Sequence, residues 1–357
     1  MSDHASSFAE PNKFTSSLYE TLKRHPKRIV FPDGEDLRIL QVAQEMVRLK
    51  IGAPFLLGNS GKIRQIADEN GIDLTFVRTI DPEKSADFGL FCGRFERIER
   101  YKGNEGVNAA AVLKNPLYFG AMMLQYGQAD GLVAGNQTHP AGVFRPLLSL
   151  VKPNASVPHV FTTTVLVSDT LPNFGQDGVL FLADTNLNES PSVGELAAIA
   201  AETGALAHHL FGREIRIAML SHSTHGSKGG AKVQKMQAAT ALAREKLSGL
   251  QYEVVGEVQA DVALDPAAAA VKVPNLANRP SADVLVFPNL DAAHISMKLL
   301  SHVGGAQPYG QLILGLTRPA AQLPKTASLE MILGTAAAVG VEAIKYREVH
   351  GVDDFSY

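Results

Sequence analysis

Short apolar runs alternate with stretches of helical periodicity almost from end to end of the 357-residue chain, the layout that places a largely parallel sheet between layers of helices. Arg28 to Phe31 reads as a strand and Pro32-Asp33-Gly34 as the turn that ends it. Leu37, Leu40, Ala43 and Val47 then recur at helical spacing before Pro54 to Leu57 opens the next strand, which makes one βαβ unit. Further strands are expected at 132–134, 162–167, 179–183, 215–220, 252–255, 284–287 and 312–316. Ser192-Val193-Gly194-Glu195 is a capping-box pattern, in which Ser192 and Glu195 satisfy each other's orphan amides. Leu196, Ile199 and Ala200 supply the buried stripe of the helix that follows. Ala267 to Ala270 is a helix-forming run, and no internal repeat or low-complexity tract appears.

The pattern breaks near Lys152-Pro153-Asn154 and Gln307-Pro308-Tyr309, both rich in turn formers. Two α/β domains are therefore expected, a discontinuous first domain over 1–155 and 311–357 and an inserted second domain over 156–310, with ligands in a cleft between them. Composition agrees: 45% hydrophobic and 19% charged residues are enough to close two cores of ordinary size. A net charge of -3 provides no basic field to gather nucleic acid or an anionic membrane surface. A single cysteine, Cys92, makes no internal disulfide and points to a reducing, cytoplasmic compartment. Met1 to Lys13 is polar and reads as a frayed tail rather than a signal peptide. The apolar run Met331 to Ile344 is about 14 residues long, short of the roughly 20 needed to cross a bilayer, and reads as a buried helix.

Candidate chemistry begins at Gly127-Gln128-Ala129-Asp130-Gly131-Leu132-Val133-Ala134-Gly135, which puts glycines at the end of a strand. Asn136 to Pro146 follow, with Arg145 expected ahead of an apolar helix. A guanidinium there presents a planar two-pronged donor array suited to phosphate; the plainer alternative is a surface arginine capping a helix. The run Arg216 to Ser227 ends a strand in a loop crowded with hydroxyls, and unpaired amides in such a loop can cradle an anion.

In this order, and together with Phe181-Leu182-Ala183-Asp184 (Asn188 and Pro191 behind it), Gly256 to Asp261 and Ala282 to Pro288, these segments resemble the phosphate acetyl/butyryltransferase family. The resemblance runs from about Arg28 to Ile344. It implies reversible transfer of an acetyl or short acyl group between coenzyme A and phosphate in a ternary complex, without a covalent intermediate. A base takes the thiol proton while cations and donors steady the phosphate and the developing oxyanion. It implies acyl-CoA and phosphate as small-molecule substrates, no metal and no further cofactor, a homodimer, and a two-domain layout like that of isocitrate and isopropylmalate dehydrogenases. By the same resemblance Arg145 holds the phosphate, and Ser223, Thr224 and Asn188 line the substrate site.

The chain departs from the family at its C-terminal signature, which usually reads Lys-Pro-Val-Asn-Asp-Leu-Ser-Arg-Gly with a catalytic aspartate five residues beyond the glycine. Here Arg318-Pro319-Ala320-Ala321-Gln322-Leu323-Pro324-Lys325-Thr326 stands in its place. Pro324 removes the serine hydroxyl, and Lys325 keeps a charge but loses the bidentate fork. Met331 occupies the aspartate position. Neighbouring Glu330 is a substitute base only if the helix register slips, since one residue turns a side chain by about 100°. Upstream, Glu99 aligns with a family arginine, and Arg97 or Arg100 is close enough to replace it. Phe287-Pro288-Asn289-Leu290-Asp291 stands where the family has Phe-Pro-Asp-Leu-Asn.

Two accounts follow from these changes. The chain is either a divergent acyltransferase using Lys325, Glu330 or histidines such as His139 and His225, or a catalytically impaired relative that still binds acyl-CoA in a regulatory role. A remote alternative is a metal-dependent decarboxylating dehydrogenase, with Asp261, Asp265 and Asp291 as oxygen ligands, although acidic residues at a helix N-terminus are favoured by the dipole alone and Pro266 makes Asp265 a natural cap. His222 and His225, or His208 and His209, lack a third ligand at zinc spacing, and His294 and His302 read as core-edge or solvated residues. No Gly-x-Gly-x-x-Gly opens a helix after a strand, which argues against a nicotinamide cofactor.

Overall fold

The computed structural model of the chain describes residues 8–350 apart from 105, 156, 158, 172, 277 and 278, and for 345–350 the backbone alone; the expected tail thus lies partly outside the described residues. The strands are β1 (Lys27–Phe31), β2 (Gly52–Leu57), β3 (Arg78–Ile80), β4 (Gly131–Ala134), β5 (Phe161–Val167), β6 (Val179–Ala183), β7 (Ile215–Leu220), β8 (Tyr252–Val258), β9 (Val284–Val286), β10 (Gln307–Leu314) and β11 (Ala320–Gln322). By internal contacts the chain divides into two compact units, one of Met1–Lys152 with Leu316–Tyr357 and one of Pro153–Gly315. The expected boundary at Ser156 falls outside the described residues.

The first unit carries strands in the order β3-β2-β1-β4-β11, all parallel. Ile29, Val30, Phe31, Leu132 and Val133 are fully sequestered, as expected of parallel strands covered on both faces. Helix Leu37–Arg48 is capped by Asp36, whose carboxylate accepts from the Arg38 amide. That cap sets the helix phase differently from the expected stripe: Ile39, Leu40, Val42, Ala43 and Met46 face the core, while Leu37 is 37% exposed and Val47 half-buried. Helix Leu329–His350 lies so close to β4 that a Cβ on Gly131 would stand 2.3 Å from Val339 Cγ1. Among the described residues no helix is long and apolar enough to cross a membrane.

The second unit orders its strands β10-β5-β6-β9-β7-β8. β5 runs antiparallel to both β6 and β10, and the remaining pairs are parallel. The strand expected at 312–316 starts earlier, at Gln307, and stays in this unit through its pairing with β5. It stops before Gly315, where φ is +89° and a Cβ would lie 2.6 Å from His159 O. The return to the first unit is made instead by β11. Helix Val193–Phe211 has both halves of its capping box, and Leu196, Ile199 and Ala200 are buried.

Each unit has a point where chains leaving adjacent strands diverge. β1 feeds β2 on one side, whereas the chain that leaves β4 comes back as β11 on the other. In the second unit β7 feeds β8 while its neighbour β9 feeds β10, across the sheet. Crevices outside the carboxyl ends of strands at such points are where ligands of open α/β sheets sit.

Candidate active site

At the carboxyl ends of β1, β4 and β11, three loops of the first unit are joined by short polar contacts. Asp33, just past β1, accepts from the Gly135 amide at 2.7 Å and from Thr138 Oγ1 at 3.3 Å. Its burial pushes the carboxyl above the usual carboxylate range, and these donors offset only part of the effect. Asp36, only 6% exposed, behaves oppositely. Burial would raise it, but the Arg38 guanidinium and amide and the Gln137 side chain together hold it below the usual range. Gly135 is required where it stands: φ is +122°, and a Cβ would lie 2.5 Å from Leu323 O. Leu323 N in turn donates to Ala134 O at 2.7 Å, and the Gln322 side-chain amide bonds to Leu323 O.

Arg145 lies inside helix Pro140–Leu150, one residue before Pro146, rather than ahead of an apolar helix. The helix starts five residues earlier because His139 caps it and Pro140 occupies its first position, an arrangement that proline favours. Arg145 is exposed and is not a cap. Lys325 is also exposed, on the loop after β11, with its carbonyl accepting from Arg38 at 2.9 Å. Glu330, near the start of helix Leu329–His350, is half-buried and accepts from the Ala9 amide at 3.2 Å. Met331 beside it is only 6% exposed. Arg100 is exposed near the end of helix Phe88–Tyr101 and lines a surface cavity with Glu96, Glu99, Asn104, Gly106 and Val107. Burial pushes Glu99 up, but Asn104 and Lys102 outweigh it and hold the carboxyl low.

In the second unit, Asp184, the residue after β6, is a buried acceptor. It takes the Thr162 hydroxyl at 2.6 Å, the Asn188 side-chain amide at 2.6 Å and the backbone amides of Thr162, Asn186, Leu187 and Asn188. Asn188 also reaches Val160 O, so its side chain is fixed from both sides. Ser223 is wholly buried. Its hydroxyl donates to Glu257 Oε1 at 3.0 Å and accepts from the Lys228 amide at 3.1 Å. Thr224 Oγ1 accepts from the Gln259 amide.

The expectation that the loop after β7 offers unpaired amides is corrected here. The amides of Thr224 and Lys228 are taken by serine hydroxyls, that of Gly226 by Glu257 Oε1, and that of His225 by Glu257 O. The anion this loop cradles is the chain's own Glu257 carboxylate, 2% exposed. Burial pushes that carboxyl up, yet the Gly226, Ser223 and Gln237 donors outweigh it and hold it below the usual range. Glu257 also lines a second cavity with His225, Gln237, Thr240, Arg244 and Gly256.

Two of the three acidic residues offered as metal ligands have other partners, and the third, Asp291, is exposed. Asp261 pairs with Lys272 at 2.5 Å, and Asp265 caps helix Pro266–Lys272. Among the described residues no three histidine, cysteine, aspartate or glutamate side chains come together as a metal site. His208 Nδ1 lies 2.7 Å from Arg213 O, and His294 Nδ1 3.0 Å from Thr185 O.

Two motif aspartates turn out to fasten the amino ends of strands. Asp130 receives both prongs of Arg28, at 3.0 and 2.9 Å, together with the Arg28 amide. Asp283, fully buried, receives Arg213 bidentately and the Arg216 amide. Sequence reasoning missed Asp33, Asp36, Arg38 and Glu257 as site-forming groups. The Asp36-Leu37-Arg38 triplet ahead of a helical stripe was a legible signal of a cap; nothing local marked Glu257.

With this geometry in view, the likeness to known proteins is specific. The model of a family described as phosphate acetyl/butaryl transferase matches residues 13–339. The chain is 34% identical to the phosphate acetyltransferase of Thermoanaerobacterium thermosaccharolyticum over 329 residues, 92% of this chain and 98% of that protein. It is 34% identical over 332 residues to the phosphate acetyltransferase of Acetivibrio thermocellus, again 92% and 98% of the two chains. Among solved structures, a phosphotransacetylase from Staphylococcus aureus superposes with a TM-score of 0.82 at 28% identity, over 92% of this chain and 98% of its own.

Proposed function

The chain belongs to the phosphate acetyl/butaryl transferase family, and from that premise we propose that it moves an acetyl or other short acyl group between coenzyme A and inorganic phosphate. The carrying observation is the match of the family model over residues 13–339, a span that takes in Arg145 and the loop bearing Lys325. In the direction of acyl-CoA synthesis the CoA thiol gives its proton to a base, the thiolate sulfur bonds to the carbonyl carbon of the acyl phosphate, and the carbon–oxygen bond to phosphate breaks. Arg145 holds the phosphate with its two-pronged donor array, and Lys325 contributes a compact charge beside it. Glu330 is the proposed base. Ser223, Thr224, Asn188 and Arg100 contribute to substrate binding, Ser223 and Asn188 through the rigid networks that fix them. This chemistry needs no metal, so turnover should survive a chelator. The chain is further read as cytoplasmic and as a homodimer; light scattering on the purified protein checks the dimer.

A second reading has its own support: Met331, at the position of the family's base, is an apolar side chain packed to 6% exposure, and Pro324 offers no hydroxyl. Loss of a positioned base costs about 10²- to 10⁴-fold in rate, which would leave an acyl-CoA-binding regulatory relative. One assay separates the two. Thiol release from acetyl-, propionyl- and butyryl-CoA with phosphate is measured for the native chain and for Arg145→Ala. The transferase reading expects release that the substitution depresses. Equal silence from both proteins, with acyl-CoA binding retained, replaces it with the regulatory reading.

A further inference from the structure

Arg38 has no prong left for a ligand. A guanidinium has five N–H donors in a fixed fork, and here all five are occupied within the first unit. Nε donates to Asp36 Oδ1 at 3.1 Å; Nη2 donates to Asp36 Oδ2 at 2.8 Å and Asn136 O at 3.2 Å; Nη1 donates to Lys325 O at 2.9 Å and Ala327 O at 3.0 Å. Its partner Asp36 is itself fixed, with a side chain only 4% exposed, by capping its helix and accepting from Gln137 Nε2 at 2.5 Å. One side chain thus joins the loops after β1, β4 and β11. The second of these leads into the helix of Arg145, and the third carries Lys325.

We propose that Arg38 is a positioning residue for this reaction: its fork sets where the Lys325 loop and the start of the Arg145 segment stand, and it contributes no donor to the substrates. The catalytic half of the proposal rests on the transferase reading; the structural half does not. A lysine at this position keeps the charge but has a single nitrogen, which cannot hold Asp36 and three carbonyls at once. Charge alone is therefore not what the position needs. A residue that grips a substrate phosphate directly would instead tolerate lysine in part.

The test compares Arg38→Lys, Arg38→Ala, Lys325→Ala and the Arg38→Ala/Lys325→Ala pair, by thiol-release kinetics and by amide hydrogen exchange over 135–138 and 323–328. Positioning predicts that Arg38→Lys falls nearly as far as Arg38→Ala, by about 10- to 100-fold and chiefly in kcat, the scale of a displaced catalytic group. Both should exchange faster in the two loops. Because Arg38 acts partly through the Lys325 loop, removing it from a Lys325→Ala background should cost clearly less than it costs the native chain, the non-additivity of coupled sites. Asp36→Asn, which loosens the same fork and leaves the guanidinium in place, should reproduce the exchange pattern if Arg38→Ala does not fold. Arg38→Lys with near-native turnover, or losses that multiply in the double variant, would overturn the proposal in favour of direct substrate contact. Should the native chain show no turnover, the transferase reading fails by itself, and unchanged exchange in the loops of Arg38→Lys would separately sink the positioning role.

Discussion

Replacing Glu257 by glutamine removes one charge from a buried site while keeping its shape. Oε1 of Glu257 receives the Gly226 amide at 2.7 Å and the Ser223 hydroxyl at 3.0 Å, both as bonds to an ionised acceptor. Such bonds contribute about 1.5–3 kcal/mol each, against about 0.5–1.5 for neutral pairs, so the substitution should cost the loop about 2–3 kcal/mol in all. Since about 1.4 kcal/mol is tenfold in an equilibrium, local opening should rise about 30-fold or more. Amide exchange at Gly226 and Lys228 reads this directly, the latter because its amide rests on Ser223 Oγ. The pH dependence supplies an independent check. A carboxyl held below its usual range contributes stability that is fully present above the unfolded glutamate value of about 4.3 and lost as pH falls through the lower folded value. The difference between native and Glu257→Gln protein should therefore be constant at neutral pH and close in acid below that range. Exchange within twofold of native at pH 7, or a difference indifferent to acid, would refute the view that this loop is organised by its own internal anion.

Four substitutions elsewhere in the chain give further outcomes. Asp33 is raised by burial, so the folded state loses stability as pH rises from the ordinary aspartate range through the raised folded value; Asp33→Asn should remove that fall, and native and variant urea midpoints followed from the ordinary aspartate range up to neutral pH show whether it does. Ser192→Ala deletes one arm of a capping box in which Ser192 Oγ meets the Glu195 amide at 3.3 Å and Glu195 Oε2 meets the Ser192 amide at 2.6 Å, and should cost about 1 kcal/mol by urea unfolding. Gly135→Ala, at φ +122° and 2.5 Å from Leu323 O, should destabilise by about 1–3 kcal/mol, whereas Gly93→Ala, which meets nothing within 4 Å on helix Phe88–Tyr101, should stabilise by about 0.5–1 kcal/mol.

Elements with a strong local pattern were legible in the sequence. β5, β6 and β7 are runs of branched and apolar residues that differ by no more than one residue from the spans expected, and the capping box at Ser192 needs only four consecutive positions. What escaped were elements whose reason for existing lies elsewhere in the chain. β3 is a three-residue edge strand whose pairing with β2 decides its state. β11 is Ala-Ala-Gln, with no β-branched residue to mark it; pairing with β4 at Ala320↔Leu132 makes it a strand. Intrinsic β-preference is weak against such context.

The same division runs through the candidate site and explains why its chemistry was easier to read than its geometry. Pro324, Lys325 and Met331 could be compared with a family signature because residue identity is local. The position of Lys325 is not local: its carbonyl is held by an arginine 287 residues earlier in the chain, and that arginine is oriented by an aspartate whose other bond goes to Gln137. Likewise Ser223 reads as a free hydroxyl in a polar loop until Glu257, 34 residues on, is brought beneath it. Residue identities in the signature segment thus say which groups are present, whereas the bonds between loops decide where the cations stand. An ammonium at Lys325 lacks the fork by which a guanidinium aligns itself on phosphate. On the proposed reading, the alignment of that charge comes from the backbone that carries it, and the five bonds of Arg38 hold that backbone.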